Sequence, residues 1–295
     1  MILTVTLNVA LDVTYAVDAL VPGEAHRVRS VTERPGGKGL NVARVLGILG
    51  EPVVATGFAG GAAGRRVQEL LTVPHAFAEI GAESRRTVVV SDGASGTGFW
   101  EPGPVVTGAE WEGFVARYTG LVSAARVVVL SGSLPGGVPE DAYATLIRIA
   151  EEHGVPSILD SSRAALVKGL AAGPAVAKPN AEELAELAPG LGVVEAARAA
   201  GSGVVFASRG ADGMLAVTGD RAWRAVPPSL SGNPTGAGDA GVAAIARGLA
   251  YQEKWSLILQ DAVALSAAAV LAPEAGAVAL PDYERIRRAV TVEEL

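Results

Sequence analysis

Short apolar, β-branched runs recur along this chain with helical patterns between them, and that alternation constrains the fold more than any other feature. The candidate strands are Ile2–Leu7, Val53–Gly57, Val127–Leu130, Ser157–Leu159, Ala175–Ala177 and Val204–Ala207. Between them the spacing predicts helices over Leu40–Leu49, Asp141–Glu152 and Asn180–Leu187, stopped by Gly50, by Gly154 and by the Pro189-Gly190 pair. Strands that alternate with helices build a mainly parallel sheet covered by those helices, so the expected class is α/β. Two segments, about residues 12–32 and 84–103, break the rhythm and read as hairpin-like strands without long helices. They are expected to pair into a small discontinuous sheet that acts as a lid. No repeat, low-complexity tract or linker divides the chain, so residues 1–295 read as a single domain.

Composition narrows the function classes. Hydrophobic residues make up 49% of the chain, enough for a substantial core. There is no cysteine, which excludes disulfides and thiolate metal sites, and His26, His75 and His153 lie too far apart for zinc-ligand spacing. A net charge of −7 argues against a nucleic-acid surface. The apolar stretches are too short or too alanine-rich to cross a bilayer, and the N-terminus alternates like a first strand rather than a signal peptide. A cytoplasmic protein with no membrane partner is expected. Charge is near balance over residues 1–90 and acidic beyond, so an anionic substrate is more easily held by the first third.

Asn233-Pro234-Thr235-Gly236-Ala237-Gly238-Asp239 precedes the helical run Ala240–Leu249. Two glycines let the backbone turn tightly where a helix begins, so unpaired N–H groups and the positive end of the dipole can face an anion. A carboxylate closing such a loop stands where a hydroxyl would lose its proton on attacking a phosphoryl group, and Asp239 fits that role. The plainer reading is a turn whose aspartate caps an alanine-rich helix.

Pro35-Gly36-Gly37-Lys38-Gly39-Leu40-Asn41-Val42-Ala43-Arg44 is a second glycine cluster before a helix. Backbone at Gly36 and Gly37 can approach a ligand closely, and Asn41 offers both a donor and an acceptor to sugar hydroxyls. A P-loop is ruled out, because Gly39 stands where serine or threonine is required and the upstream spacing fails. Gly57–Gly64 likewise lacks the glycine order of a dinucleotide-binding oxidoreductase.

Taken in order, these motifs resemble the PfkB, or ribokinase-like, carbohydrate kinases. The Gly-Ala-Gly-Asp loop looks like the family's C-terminal signature. Gly-Gly-Lys-Gly followed by Asn-Val-Ala-Arg resembles its phosphosugar branch, which includes 1-phosphofructokinase and tagatose-6-phosphate kinase. The resemblance implies a ribokinase-like three-layer fold with a β-sheet lid, and ATP and magnesium as cofactors. It implies that Asp239 is the catalytic base, helped by the N–H groups of Gly236, Ala237 and Gly238. It places Asp12, Gly36, Gly37, Lys38, Asn41 and Ser133, the last within Ser131-Gly132-Ser133-Leu134-Pro135-Gly136-Gly137, on the acceptor. Arg27 and Arg85 become candidates for a substrate phosphate, with Arg86 exchanging roles with Arg85 if the alignment slips by one. Lys178, Asn180, Ser208, Gly210 and Gly213 fall on the nucleotide side, and Glu183 would order water around magnesium. A capping box explains Asn180 and Glu183 without any metal. Phe99-Trp100-Glu101-Pro102-Gly103-Pro104 looks most like the 1-phosphofructokinase group, so fructose 1-phosphate is the preferred acceptor. Tagatose 6-phosphate, fructose 6-phosphate and an unphosphorylated sugar are the alternatives, and a catalytically silent sugar-phosphate sensor is the reading from another class. Exposed lid edges point to a homodimer through the lid.

Overall fold

Every side chain of Ile2–Thr6 (β1) is buried, a pattern that requires helices on both faces of the sheet. The structure, a computed structural model, describes residues 1–295 except Ala94 and Pro273. After β1 the chain runs through Ala10–Ala16 (β2), Ser30–Gly36 (β3), Lys38–Ile48 (α1), Val53–Gly60 (β4), Gly61–Leu70 (α2), Ala78–Ile80 (β5), Arg85–Ser91 (β6), Gly96–Trp100 (β7) and Gly108–Val122 (α3). Val127–Ser131 (β8), Ala142–Glu152 (α4), Ser157–Asp160 (β9), Arg163–Leu170 (α5), Val176–Ala177 (β10), Ala181–Leu187 (α6), Val193–Ala199 (α7) and Val204–Ser208 (β11) follow. Met214–Val217 (β12), Ala222–Val226 (β13), Ala237–Ala250 (α8), Trp255–Leu271 (α9), Leu280–Ala289 (α10) and Thr291–Glu294 (β14) complete the chain.

The large sheet has 10 strands in the order β14-β13-β12-β11-β10-β9-β8-β1-β4-β5. Pairing is parallel from β11 through β5, and β12, β13 and β14 extend the sheet antiparallel. Alternation along β8 sends Val127 and Val129 into a core with residues of α1, α8, α9 and α10. Val128 and Leu130 enter the opposite core with α3, α4 and α5. The result is the expected three-layer α/β architecture. Among the described residues, no helix is long and apolar enough to cross a membrane.

The small sheet has the order β3-β2-β6-β7. Leu11 and Val13 point into the main core from one face. Asp12 lies on the other, in register with Arg34 of β3 and Thr87 of β6. Strand β3 runs on to Gly36, four residues past the boundary expected from the sequence, so the first glycine cluster continues a strand of the small sheet instead of standing apart as a loop. Pro35 is tolerated there because β3 is an edge strand, where half of the backbone N–H positions face away from the sheet.

Candidate active site

Open parallel sheets present ligand sites at the carboxyl ends of their strands. Here β1, β8 and β9 end in the buried polar residues Thr6, Ser131 and Asp160. Ser131 is in register with Asp160, and Thr6 and Ser131 each follow the paired residues Val5 and Leu130. The Thr6 and Ser131 hydroxyls and Oδ2 of Asp160 have no hydrogen-bond partner among the described residues. Such a row in a buried place is costly unless a polar ligand completes it.

Two lysines converge on Asp160. Its Oδ1 lies 3.3 Å from Lys38 Nζ, at the start of α1, and 3.3 Å from Lys178 Nζ, just after β10. Burial pushes the Asp160 pKa up, but the Lys178 and Lys38 ammonium groups outweigh it and hold the carboxyl below its ordinary value. Asp160 in turn raises the pKa of Lys38. A charged carboxylate thus holds two cations together beside the strand ends.

Asp239 sits in the first turn of α8, with only 7% of its surface exposed. Asn41 of α1 donates from Nδ2 to Asp239 Oδ2 at 2.8 Å, across the 198 residues that separate them in sequence. Burial, followed by the nearby Asp160 charge, raises the Asp239 pKa to about 6, while the Asn41 hydrogen bond, Lys38 and Lys178 pull it down. That is a carboxyl poised to accept a proton near neutral pH. Gly236 precedes the helix at φ 83°, and a β-carbon there would stand 2.8 Å from Ala275 Cα, so only glycine makes this turn. The Ala237 N–H, expected to face developing charge, instead donates to Pro234 O at 3.1 Å. The tight turn consumes that donor. Lys178 Nζ stands 3.6 Å from where a Gly238 β-carbon would be, so the glycine turn and the lysine pair share one space.

On the side of the small sheet, Asp12 packs so closely on Gly36 that a β-carbon at residue 36 would clash with the carboxylate. Burial raises the Asp12 pKa, opposed by the Thr87 hydroxyl and by Arg85, Arg44 and Arg34. Arg85 shares the Asp12 face of the sheet, and its Nε is buried without a partner among the described residues. Arg86 points to the other face and is exposed. The register therefore separates the two arginines that the sequence left interchangeable. Arg27 is not brought to this cluster: it lies exposed in the connection from β2 to β3, beyond Ser30, while Asp12 pairs with Arg34. Ser133 follows β8 and accepts from Asn8 Nδ2 at 3.0 Å. Gly37 abuts Thr6, whose methyl would lie 2.7 Å from a β-carbon at residue 37.

Asn180 and Glu183 form a full capping box at the start of α6, each side chain accepting from the other's N–H at 2.8 Å. Asn180 bridges to Ser208, which ends β11, and Gly210 and Gly213 bound the turn leading to β12. Among the described residues, no three His, Asp or Glu side chains gather into a metal cage. Magnesium fits these residues nonetheless, because it prefers oxygen donors and keeps waters and substrate phosphates in its shell. The unpartnered Asp160 oxygen and the Glu183 carboxylate, both close enough to influence Lys38, are donors of that kind.

Sequence reasoning passed over Asp160, Arg34, Arg44 and Glu274. Asp160 had a signal, since it is the first residue beyond a candidate strand, where site residues collect. Arg44 ends the first glycine-rich motif, but nothing local marks its contact with Ala275 O. The pairing of Arg34 with Glu274 joins residues 240 positions apart and leaves no local mark.

Comparison with known proteins gives the same frame. The family model described as pfkB family carbohydrate kinase matches residues 5–282. Phosphofructokinase-2 from Escherichia coli in complex with potassium superposes with a TM-score of 0.91 at 32% identity, covering 98% of each chain. The same enzyme in complex with fructose-6-phosphate gives 0.87 at 30%, again over 98% of each chain. A possible 1-phosphofructokinase from Thermotoga maritima superposes with a TM-score of 0.89 at 28% identity, covering 100% of this chain and 99% of the other.

Proposed function

This chain belongs to the pfkB family of carbohydrate kinases, phosphotransferases with an alcohol group as acceptor, and from that premise we propose that it phosphorylates a ketohexose phosphate, with fructose 1-phosphate preferred. The γ-phosphoryl of ATP passes to the acceptor hydroxyl: the bond from acceptor oxygen to phosphorus forms, the bond to the β-phosphate oxygen breaks, and ADP leaves. Asp239 takes the hydroxyl proton. The observation that carries this reading is the buried Asp239 carboxylate, oriented by Asn41 at the positive end of α8. Lys38 and Lys178, gathered on Asp160 beside the glycine turn, are placed to balance phosphate charge. The Gly238 N–H adds to them, while Gly236 shapes the turn.

On the acceptor side, Asp12 and Asn41 bind sugar hydroxyls while Gly36 and Gly37 let the sugar approach the backbone. Arg85 takes the acceptor's own phosphate, since burial lowers its pKa and only Asp12 offsets that loss of hydration. Asn180, Ser208, Gly210 and Gly213 lie along the nucleotide. Magnesium held by Glu183 through water would neutralise charge on the nucleotide phosphates. Fructose 6-phosphate is the second acceptor reading, favoured by the solved complex of the Escherichia coli relative. We assign self-association to the lid and commit to a homodimer, because Val31 and Phe99, on the lid face opposite Asp12, are 57% and 56% exposed.

Release of ADP, measured with fructose 1-phosphate, fructose 6-phosphate, tagatose 6-phosphate, fructose and ATP alone, tests the function. The largest kcat/KM is expected with fructose 1-phosphate. Activity on free sugars alone would replace the acceptor, and no turnover with any sugar would leave the sensor reading in its place.

A further inference from the structure

The loop between α9 and α10 touches both halves of the site. Glu274 forms an ion pair with Arg34, on the Asp12 face of lid strand β3, and the two side chains are only 29% and 35% exposed. Arg44 of α1 donates from Nη1 to Ala275 O at 3.0 Å. Glu274 also partly offsets the burial that lowers the Arg44 pKa. Ala275 packs on Gly236, as the blocked β-carbon position there records. Gly276 lies over Asn41, whose Oδ1 would be 3.0 Å from a β-carbon at residue 276, and Asn41 holds Asp239. Three consecutive residues therefore meet the lid arginine, the glycine that opens the transfer turn, and the amide that orients Asp239.

We propose that the Arg34–Glu274 ion pair is a latch coupling closure of the acceptor lid to alignment of the transfer turn, which makes Glu274 a positioning residue. The inference rests on the kinase reading above. With the lid down, Arg34 fixes Glu274, and the loop backs both Gly236 and Asn41. With the lid raised, Glu274 keeps only its attraction to Arg44, and the turn and the base lose part of their support. Phosphoryl transfer is then favoured only under a closed lid, where water is excluded. A plain structural brace would raise stability without tying the acceptor to the turn.

Glu274→Gln, Arg34→Gln and their combination test the latch, with Arg29→Gln as control because it breaks the Arg29–Asp18 pair in the same hairpin. Each single variant at the latch is expected to raise acceptor KM about three- to tenfold, with KM for ATP unchanged. The fraction of ATP hydrolysed without transfer should rise as well, and the double variant should lose no more than Arg34→Gln alone, because both substitutions break the same pair. Single variants that lower Tm but leave the ratio of transfer to hydrolysis unchanged would overturn the proposal, as would a double variant whose losses are the sum of the singles. Amide hydrogen exchange over residues 234–240 reads the coupling without catalysis. It should quicken in both latch variants and not in Arg29→Gln, and unchanged exchange there defeats the latch. Absence of any turnover by the unaltered protein would count against the kinase reading alone, because the exchange experiment still decides the coupling.

Discussion

Asp239 carries two opposed demands. Burial raises its pKa to about 6, so the unprotonated base should be lost as pH falls through that value and kcat/KM should fall with it. Asn41→Ala removes the hydrogen bond that favours the charged form, and the acid limb of the pH profile should move to higher pH. Asp239→Asn should lower kcat by about 10²–10⁴ while leaving substrate binding largely intact. The same substitution should stabilise the fold. A carboxyl whose pKa is raised from 3.8 to about 6 on folding penalises the folded state above the unfolded value, and the penalty is complete once pH exceeds about 6. Urea unfolding at pH 8 should therefore find Asp239→Asn more stable by up to roughly 3 kcal/mol, with the gain vanishing below about pH 4. Equal stability of the two proteins across that range would contradict this account of the site's electrostatics.

Helix α8 is positioned from both ends. At its start, Gly236→Ala places a side chain in a left-handed turn against Ala275, a backbone cost of about 1–2 kcal/mol before any clash is counted. Turnover should fall further than stability does, because the turn presents the Gly238 amide and Asp239. Steady-state kinetics beside a thermal melt would separate the two losses. In its last turn, Arg247 joins Arg287 of α10 on Asp261 of α9, a carboxylate only 2% exposed. Asp261→Ala would leave two arginines facing each other without their shared acid, a loss of about 2–4 kcal/mol, below the fully buried limit because Arg287 is partly in water. Denaturant midpoints should fall, while the pH profile of any remaining activity should keep its shape, since Asp239 is at the other end of the helix.

At the scale of the molecule, the lid face opposite Asp12 is covered by the main core over only part of its extent. Leu11, Val13, Tyr15 and Val88 of that face pack on the main core, whereas Val31 and Phe99, at its margins on β3 and β7, are exposed to solvent. A second lid is expected to bury them. Sedimentation velocity should give a dimer that dissociates when Val31→Glu and Phe99→Glu are combined, and an unaltered monomer at micromolar concentration would remove the lid from self-association.

Much of this arrangement was legible in the residues. Period-two and period-3.6 patterns report which side chains seek burial, and they located the parallel strands other than β5 and the helices α1, α4, α6 and most of α8. Glycines at residues 36, 37 and 236 marked the close approaches, since backbone that must pass without a β-carbon leaves a trace in composition. Local spacing could not decide which of Arg85 and Arg86 faces Asp12, because a one-residue step along a strand reverses the face and only pairing with β2 sets the register. Nor could it find Asp160 between two lysines, Asn41 on Asp239, or Glu274 on Arg34. Those contacts join segments 122, 198 and 240 residues apart, brought together by sheet order and helix packing. The sequence alone determined the chemistry at hand, a carboxylate after a glycine turn and cations near the first glycines. The tertiary structure decided which charges meet and how deeply they are buried, and hence the protonation on which that chemistry depends.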